Sequence, residues 1–333
     1  MNKQKTFRRQ MMALVMGGMI LAMNQGTTTL AAPPAQVLTI EKTFTKEEKT
    51  QTPTVDFTFK ATPIPATIPA GGDQKEIKPG PVGGIKTLPT ISYTAADTGT
   101  DIVKTGNLEL DETKFTAPGI YRYVIEENNG GYEGITYSTV KKNFDVYVDQ
   151  NNDIISYAFS NDLGTEKTDG KFTNDYGKDN DTIHDLTVTK EVTGNQGDKN
   201  KLFDFSVKVD GAAGEKYTVE VKEDANAAVN TITLETGTAQ TVKLKDGGSI
   251  HIWGLSDTDK VTVDETDYAA EGYTTTGELT GLMVTADNTQ KTITNDKEVS
   301  ALTGIVTDMA PYVLLIAVAG GLLVLSMRRK ESR

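Results

Sequence analysis

Three residue types that can react with one another recur at matching places in the two halves of the chain. In each half, one strand-like segment ends in a lysine, a second ends in a glutamate and a third carries an asparagine. An amine, a carboxyl group and a side-chain amide are the groups that an amide-exchange reaction requires. The repeat therefore predicts two copies of one chemical site, made of Lys42, Glu127 and Asn174 in the first half and of Lys190, Glu265 and Asn295 in the second.

The segments around these residues are repeated as well. LTIEK, which ends at Lys42, returns as LTVTK, which ends at Lys190. Fourteen residues after each lysine begins the same phrase, DFTFK in the first half and DFSVK in the second. Each half closes on Thr-Asn-Asp, at 173–175 and at 294–296. A repeated order of similar segments is typical of tandem domains that share one fold.

Strand parity directs these polar residues toward the domain interiors, because residues two apart in a strand share a face. Lys42 and Glu127 each follow apolar residues of their own face, and Asn174 follows Phe172. The same parity selects Glu127 rather than the neighbouring Glu126. The alternative is that these side chains end their strands at the surface and face water. Two matching sets of three favour burial, where a lone charge costs several kcal/mol unless it is paired or neutralised.

Burial also makes a reaction available. It lowers the pKa of a lysine and raises that of a glutamate, so a neutral amine and a protonated acid can coexist. The amine can then attack the amide carbon of asparagine while the acid polarises its carbonyl oxygen and shuttles protons, and ammonia leaves. Folding holds the partners in contact, where effective molarities of about 10⁵ M or more are possible. Glu127 and Glu265 are thus the predicted acid-base groups of a Lys-Asn isopeptide reaction that occurs once per domain.

The remaining pattern predicts an all-β chain. Short alternating segments rich in Val, Ile, Thr, Tyr and Phe are separated by turns rich in Gly and Asn, which is typical of β-sandwiches. The net charge of −12 argues against nucleic-acid binding. The chain has no cysteine, so disulfides cannot stabilise it. We expect the single tryptophan, Trp253, to lie in a core.

The two ends predict export. Basic residues, an apolar run and small residues before position 32 are typical of a cleaved signal peptide. Ala310–Met327 carries no charge, is long enough to cross a bilayer and precedes three basic residues. We expect a signal peptide at 1–31, two β-sandwich domains at 32–183 and 184–299, and a membrane-spanning tail within 300–333.

No cofactor or metal site is expected. The chain has two histidines, His184 and His251, and without cysteine they form no credible zinc set. No glycine-rich phosphate loop follows a strand and opens a helix, and no motif supports a Ser-His-Asp set. We therefore do not expect an enzyme.

With these features, the chain resembles the two-domain major backbone pilins of Gram-positive bacteria, of the streptococcal T-antigen type. Their Cna protein B-type domains are reverse immunoglobulin-like sandwiches, each with an internal Lys-Asn isopeptide bond beside a Glu. The resemblance implies the bonds Lys42–Asn174 and Lys190–Asn295. The segment VDETDYAAEGY, residues 263–273, is similar to the E-box of that family but lacks its usual proline.

The resemblance also implies how subunits are joined. SALTG, Ser300–Gly304, resembles a sortase signal that is cut between Thr303 and Gly304, although the Leu and Pro of the usual motif are replaced. In the T-antigen type, the accepting lysine lies shortly before the isopeptide asparagine of the first domain. Lys167 is the first choice for that residue and Lys171 the second.

The implied function is that of a major structural subunit of a covalently polymerised surface pilus, attached to the cell wall. Expected partners are identical subunits, a pilus-specific sortase and minor pilins, with a host surface ligand left open and membrane contact only before sorting. The alternative is a wall-anchored adhesin or stalk protein that is not polymerised. A secreted enzyme is a third possibility, for which the sequence offers no catalytic set beyond the self-reacting residues.

Overall fold

The computed structural model describes residues 38–72, 74–179 and 181–299, and nearly all regular structure in these ranges is β-strand. The strands of the first half are β1 (Thr39–Lys46), β2 (Val55–Pro63), β3 (Ile77–Pro79), β4 (Ile85–Thr87), β5 (Thr90–Tyr93), β6 (Asp101–Asn107), β7 (Glu109–Leu110), β8 (Gly119–Glu127), β9 (Ile135–Thr136), β10 (Lys141–Val148), β11 (Ile154–Asn161), β12 (Lys167–Thr168) and β13 (Lys171–Tyr176).

The second half contributes the remaining strands, and each half holds one short 3₁₀ turn, Glu112–Lys114 and Ala269–Glu271. The strands are β14 (Ile183–Thr193), β15 (Phe203–Asp210), β16 (Lys216–Lys222), β17 (Asn230–Glu235), β18 (Gln240–Leu244), β19 (Ser249–Ser256), β20 (Lys260–Glu265), β21 (Thr274–Thr276), β22 (Leu279–Met283) and β23 (Thr289–Asp296).

The first half forms a sandwich of two sheets. One has the order β6-β1-β13-β9, and the other has the order β12-β11-β10-β8-β2-β5, with β3 paired to β8. Alternate residues of both sheets face a shared core. In this core the ring centres of Phe44, Phe57 and Tyr93 lie 5.3–5.5 Å from one another. Ile183, the first residue of β14, also packs into this core.

The second half forms a similar sandwich around its own core. A six-stranded sheet with the order β17-β16-β19-β14-β23-β21 faces a four-stranded sheet with the order β18-β15-β20-β22. In both sandwiches the first and last strands are parallel neighbours, β1 with β13 and β14 with β23. The predicted all-β fold of two tandem sandwiches is confirmed. The shared pairing of first and last strands is the feature that positions the sites described below.

The prediction that Trp253 is a core residue was wrong. In β19 the inward positions are taken by Ile250 and Ile252, so alternation places Trp253 on the outer face of the sheet. There its ring stacks on His251 at 3.9 Å and its indole N–H donates to Glu220. The Lys49 amine of the first sandwich lies 5.7 Å above the same ring. Trp253 thus helps to join the two sandwiches.

The two ends of the chain lie outside the described residues. The signal peptide predicted at 1–31 and the sorting segment predicted at 300–333 are therefore not part of the structural description, and neither is the apolar run Ala310–Met327. Between residues 38 and 299, as far as the structure describes them, no helix is long and apolar enough to span a membrane.

Candidate functional site

The lysine and the asparagine of each site come from the parallel first and last strands. In the β1–β13 register, Asn174 is paired with the residue two positions after Lys42. The β14–β23 register repeats this offset, with Asn295 paired two positions after Lys190. Because residues two apart share a strand face, each register brings the amine and the amide to the same side of one sheet. All four residues are buried.

The glutamate of each site comes from the facing sheet and contacts both partners. Glu127, at the end of β8, accepts a hydrogen bond from Lys42 Nζ at 2.7 Å through Oε2 and one from Asn174 Nδ2 through Oε1. At the end of β20, Glu265 does the same with Lys190 Nζ at 2.9 Å and with Asn295 Nδ2. Each carboxyl group therefore bridges an amine and an amide inside a closed core.

Glu126, the neighbour of Glu127, faces the opposite way. Its carboxylate pairs with Lys60 at 2.8 Å and with Lys141 at 2.6 Å on the outer face of the sheet. Those two lysines hold the pKa of Glu126 below its usual value. The structure therefore brings Glu127, and not Glu126, to Lys42 and Asn174.

Aromatic rings line each site beneath the amine. Lys42 Nζ lies 4.6 Å from the centre of the Phe57 ring, and Lys190 Nζ lies 4.5 Å from Phe203 and 5.7 Å from Phe205. The ring faces cover the amine, and their negative quadrupole also attracts the amine when it is protonated. Phe57 and Phe205 occupy the same place in the repeated phrases DFTFK and DFSVK. The repeated phrase was therefore the sequence signal that these two rings lie beside the lysine amines, which residue type alone did not reveal.

Burial shifts the pKa values of these groups toward their neutral forms. It lowers the pKa of Lys42 to about 8, although the Glu127 charge opposes the shift. It also lowers the pKa of Lys190 and raises the pKa values of Glu127 and Glu265, again against the effect of the partner charge. The same desolvation thus favours an uncharged amine next to a protonated acid in both sandwiches.

The contacts of the amide differ from the sequence-based expectation in one respect. We expected the acid to approach the carbonyl oxygen of asparagine, but both glutamates lie against the amide nitrogen, Nδ2. In the first site, Asn174 Oδ1 instead accepts a hydrogen bond from the backbone N–H of Ser138 at 2.8 Å. In the second, Asn295 Oδ1 is buried without a hydrogen-bond partner in the described part of the chain. Ser138 was not identified from the sequence.

The residues proposed for joining subunits are placed in part. Lys167 begins the two-residue edge strand β12 and is exposed. Lys171 begins β13 and is half-buried, with its amine 3.6 Å from a Glu41 carboxylate oxygen. Thr303 and Gly304 lie outside the described residues.

Each of the two tandem sandwiches thus holds a buried Lys-Glu-Asn set that links its first and last strands to the facing sheet. Residues 38–177 match the family described as "Spy0128-like isopeptide containing domain". Residues 184–301 match a family described as a domain of unknown function, DUF7601.

Similar whole proteins are streptococcal pilins. A pilin of Streptococcus pyogenes serotype M1 is 29% identical over 297 residues, covering 81% of this chain and 84% of that protein. The crystal structure of a major pilin from S. pyogenes is 25% identical, with a TM-score of 0.60 over 79% of this chain and 98% of that one. The T3.2 major pilin of the same species is 26% identical, with a TM-score of 0.60 over 79% and 97%.

These comparisons confirm the predicted resemblance to streptococcal major pilins. They support a pilus subunit with a structural rather than an enzymatic role, located on the outside of the cell and assembled with other pilin subunits.

Proposed function

We propose that this chain is the major backbone subunit of a covalently polymerised surface pilus and that each of its sandwiches locks itself with one isopeptide bond, Lys42–Asn174 and Lys190–Asn295. The observation that carries the proposal is the bridging carboxyl group. In both sandwiches a buried glutamate contacts the amine and the amide that would react, in a core that favours neutral groups.

The proposed reaction balances without any co-reactant. The neutral Lys42 Nζ attacks Cγ of Asn174, a C–N bond forms, and the bond from Cγ to Nδ2 breaks. Glu127 accepts the proton that Nζ loses through Oε2 and delivers a proton to the leaving nitrogen through Oε1, so ammonia departs and the carboxyl group is regenerated. Its two oxygens already contact those two nitrogens. Lys190, Glu265 and Asn295 follow the same steps in the second sandwich.

The position of the bonds suits a fibre under tension. Each bond joins the first strand of a sandwich directly to its last strand. A force that enters at β14 passes through Lys190 and Asn295 into β23, and the strands between them carry none of it. A non-covalent sandwich in the same place would unfold, because its first and last strands would be pulled apart.

The proposed polymerisation uses a donor that follows the second sandwich in sequence and an acceptor in the first sandwich. A sortase would cut between Thr303 and Gly304 and transfer the Thr303 carbonyl to Lys167 of the next subunit. The exposure of Lys167 on a short edge strand supports this choice over the half-buried Lys171. Minor pilins, attachment to the cell wall and transient insertion in the membrane before sorting belong to the same proposal.

We expect the unaltered chain to give a ladder of polymers in immunoblots of wall extracts, and we expect Lys167→Ala to abolish that ladder. Without the acceptor amine the sortase has no lysine to which it can transfer the next subunit. Lys171→Ala is the matched control and should leave the ladder intact. A ladder that survives Lys167→Ala would overturn this assignment. A single band from the unaltered chain would favour the alternative, an adhesin or stalk anchored to the wall without polymerisation.

The rate at which the first bond forms on refolding is expected to be bell-shaped in pH. The reactive state has a neutral Lys42 and a protonated Glu127. It carries the same number of protons as the Lys42–Glu127 ion pair, so both states exist over the same pH range. Above about pH 8 that proton is lost as Lys42 titrates, and Glu127 can no longer protonate the leaving nitrogen. Below the raised pKa of Glu127 the amine is protonated as well. Quenched refolding followed by mass spectrometry measures the profile, and a rate that keeps rising well beyond pH 8 would contradict it.

A further inference from the structure

The two sites differ in what holds the carbonyl oxygen of the asparagine. Ser138 lies two residues beyond β9, and β9 pairs with β13 so that Thr136 is opposite Asp175, next to Asn174. This pairing aims the Ser138 N–H at Asn174 Oδ1, 2.8 Å away. In the second sandwich β21 occupies the corresponding edge and places Thr275 opposite Asn295. No donor within the described residues reaches Asn295 Oδ1 there, although that atom is buried.

We propose that the backbone N–H of Ser138 is an oxyanion donor for the first isopeptide reaction and that the second reaction proceeds without one. This inference rests on the proposed self-locking function. When Lys42 Nζ attacks Cγ, the electron pair of the carbonyl moves onto Oδ1, and a preorganised N–H at hydrogen-bond distance stabilises that charge. When the intermediate collapses, the pair returns to re-form the carbonyl group and the nitrogen leaves.

The same contact fixes the orientation of the amide. A backbone N–H can only donate, so the atom facing Ser138 must be the oxygen. Asn174 Nδ2 is thereby turned toward Glu127, which places the leaving nitrogen against the proton source. In the first site the two tasks are divided, with Ser138 on the oxygen and Glu127 on the nitrogen. In the second, Glu265 accepts from the amide nitrogen, and among the residues that the structure describes no other group orients the amide.

A substitution at Ser138 should change the rate of the first isopeptide reaction and leave the rate of the second unchanged, so that both are compared in one molecule. Residues 32–299, which contain both sandwiches, are produced as insoluble chains that have not folded, dissolved in denaturant and then refolded. Samples quenched over time are digested to quantify each cross-linked peptide. Ser138→Pro removes the N–H, whereas Ser138→Ala keeps it and removes only the hydroxyl. Loss of one oxyanion donor is expected to slow the first reaction about 10²–10³-fold in Ser138→Pro. Ser138→Ala should retain the unaltered rate, and the second reaction should be unchanged in both. A first reaction at the unaltered rate in Ser138→Pro would overturn the proposal.

Hydrogen exchange provides a second test that does not depend on proline being tolerated. In a Lys42→Ala chain, which cannot react at the first site, the Ser138 amide proton should be protected by Asn174 Oδ1. Adding Asn174→Ala should accelerate its exchange at least tenfold, while the Tyr132 amide, which donates to the Tyr137 hydroxyl, serves as an internal reference. Equal exchange at Ser138 in the two variants would overturn the proposal.

The outcomes distinguish this inference from the function on which it rests. If the unaltered chain releases no ammonia from either sandwich, the self-locking function fails. If both sandwiches release ammonia and Ser138→Pro has no effect on the first, only the role of Ser138 fails.

Discussion

Replacing Asn295 with Ala should lower the free energy of unfolding of the second sandwich by about 5 kcal/mol, the contribution expected for a cross-link that closes a loop of about 100 residues. The Lys190–Asn295 bond would enclose nearly the whole second sandwich, so its loss releases almost all of that chain in the unfolded state. Asn295→Ala leaves Lys190 and Glu265 paired, which avoids the added cost of an unpartnered buried charge. Denaturant titration of residues 32–299, with probes in each sandwich, measures the difference.

Thr292→Ala is the matched control for this experiment. Thr292 lies on the same strand, β23, but its side chain is exposed and touches neither reactive group. It should change the stability by a small fraction of the effect of Asn295→Ala. Equal stabilities for the two variants would mean that no covalent bond had been lost.

Removing either glutamate is expected to prevent the bond of its own sandwich and to leave the other bond in place. Glu127 and Glu265 each supply the proton path between amine and amide, and general acid-base catalysis contributes about 10²–10⁴-fold. Because amides are poor electrophiles, the reaction should then not proceed during expression. By intact mass, Glu127→Ala and Glu265→Ala should each be one ammonia lighter than their sequences, and the double variant should match its sequence.

Glu126→Ala is the control for the first sandwich, because Glu126 is adjacent in sequence but faces outward to Lys60 and Lys141. It should still release ammonia from both sites. If Glu126→Ala, rather than Glu127→Ala, abolished the first bond, the geometry described for the first site would be wrong.

Strand alternation and the internal repeat were enough to predict the fold and to group the lysine, glutamate and asparagine that contact one another in each half. The parity that selects Glu127 over Glu126 depends only on the two-residue period of a strand, and the structure places these side chains on opposite faces. Matching segments in both halves indicated that Lys42 and Lys190 have equivalent surroundings, and the equivalent rings Phe57 and Phe205 lie near the two amines.

Other features depend on pairings between strands that are distant in sequence. The Ser138 N–H belongs to the backbone, so its residue type gives no hint of its role, and only the β9–β13 pairing brings it to Asn174. Trp253 is not a core residue, because it lies on the outer face of β19, where the first sandwich covers it in part. Which atom of the amide meets the acid is likewise decided by the surrounding donors rather than by sequence.

The intact mass of the unaltered folded chain, residues 32–299, shows directly whether the two isopeptide bonds form. We expect a mass lower than the sequence value by two molecules of ammonia. Tryptic digestion should yield one cross-link that joins Lys42 to Asn174 and another that joins Lys190 to Asn295. A mass equal to the sequence value, with those four residues recovered in linear peptides, would contradict it.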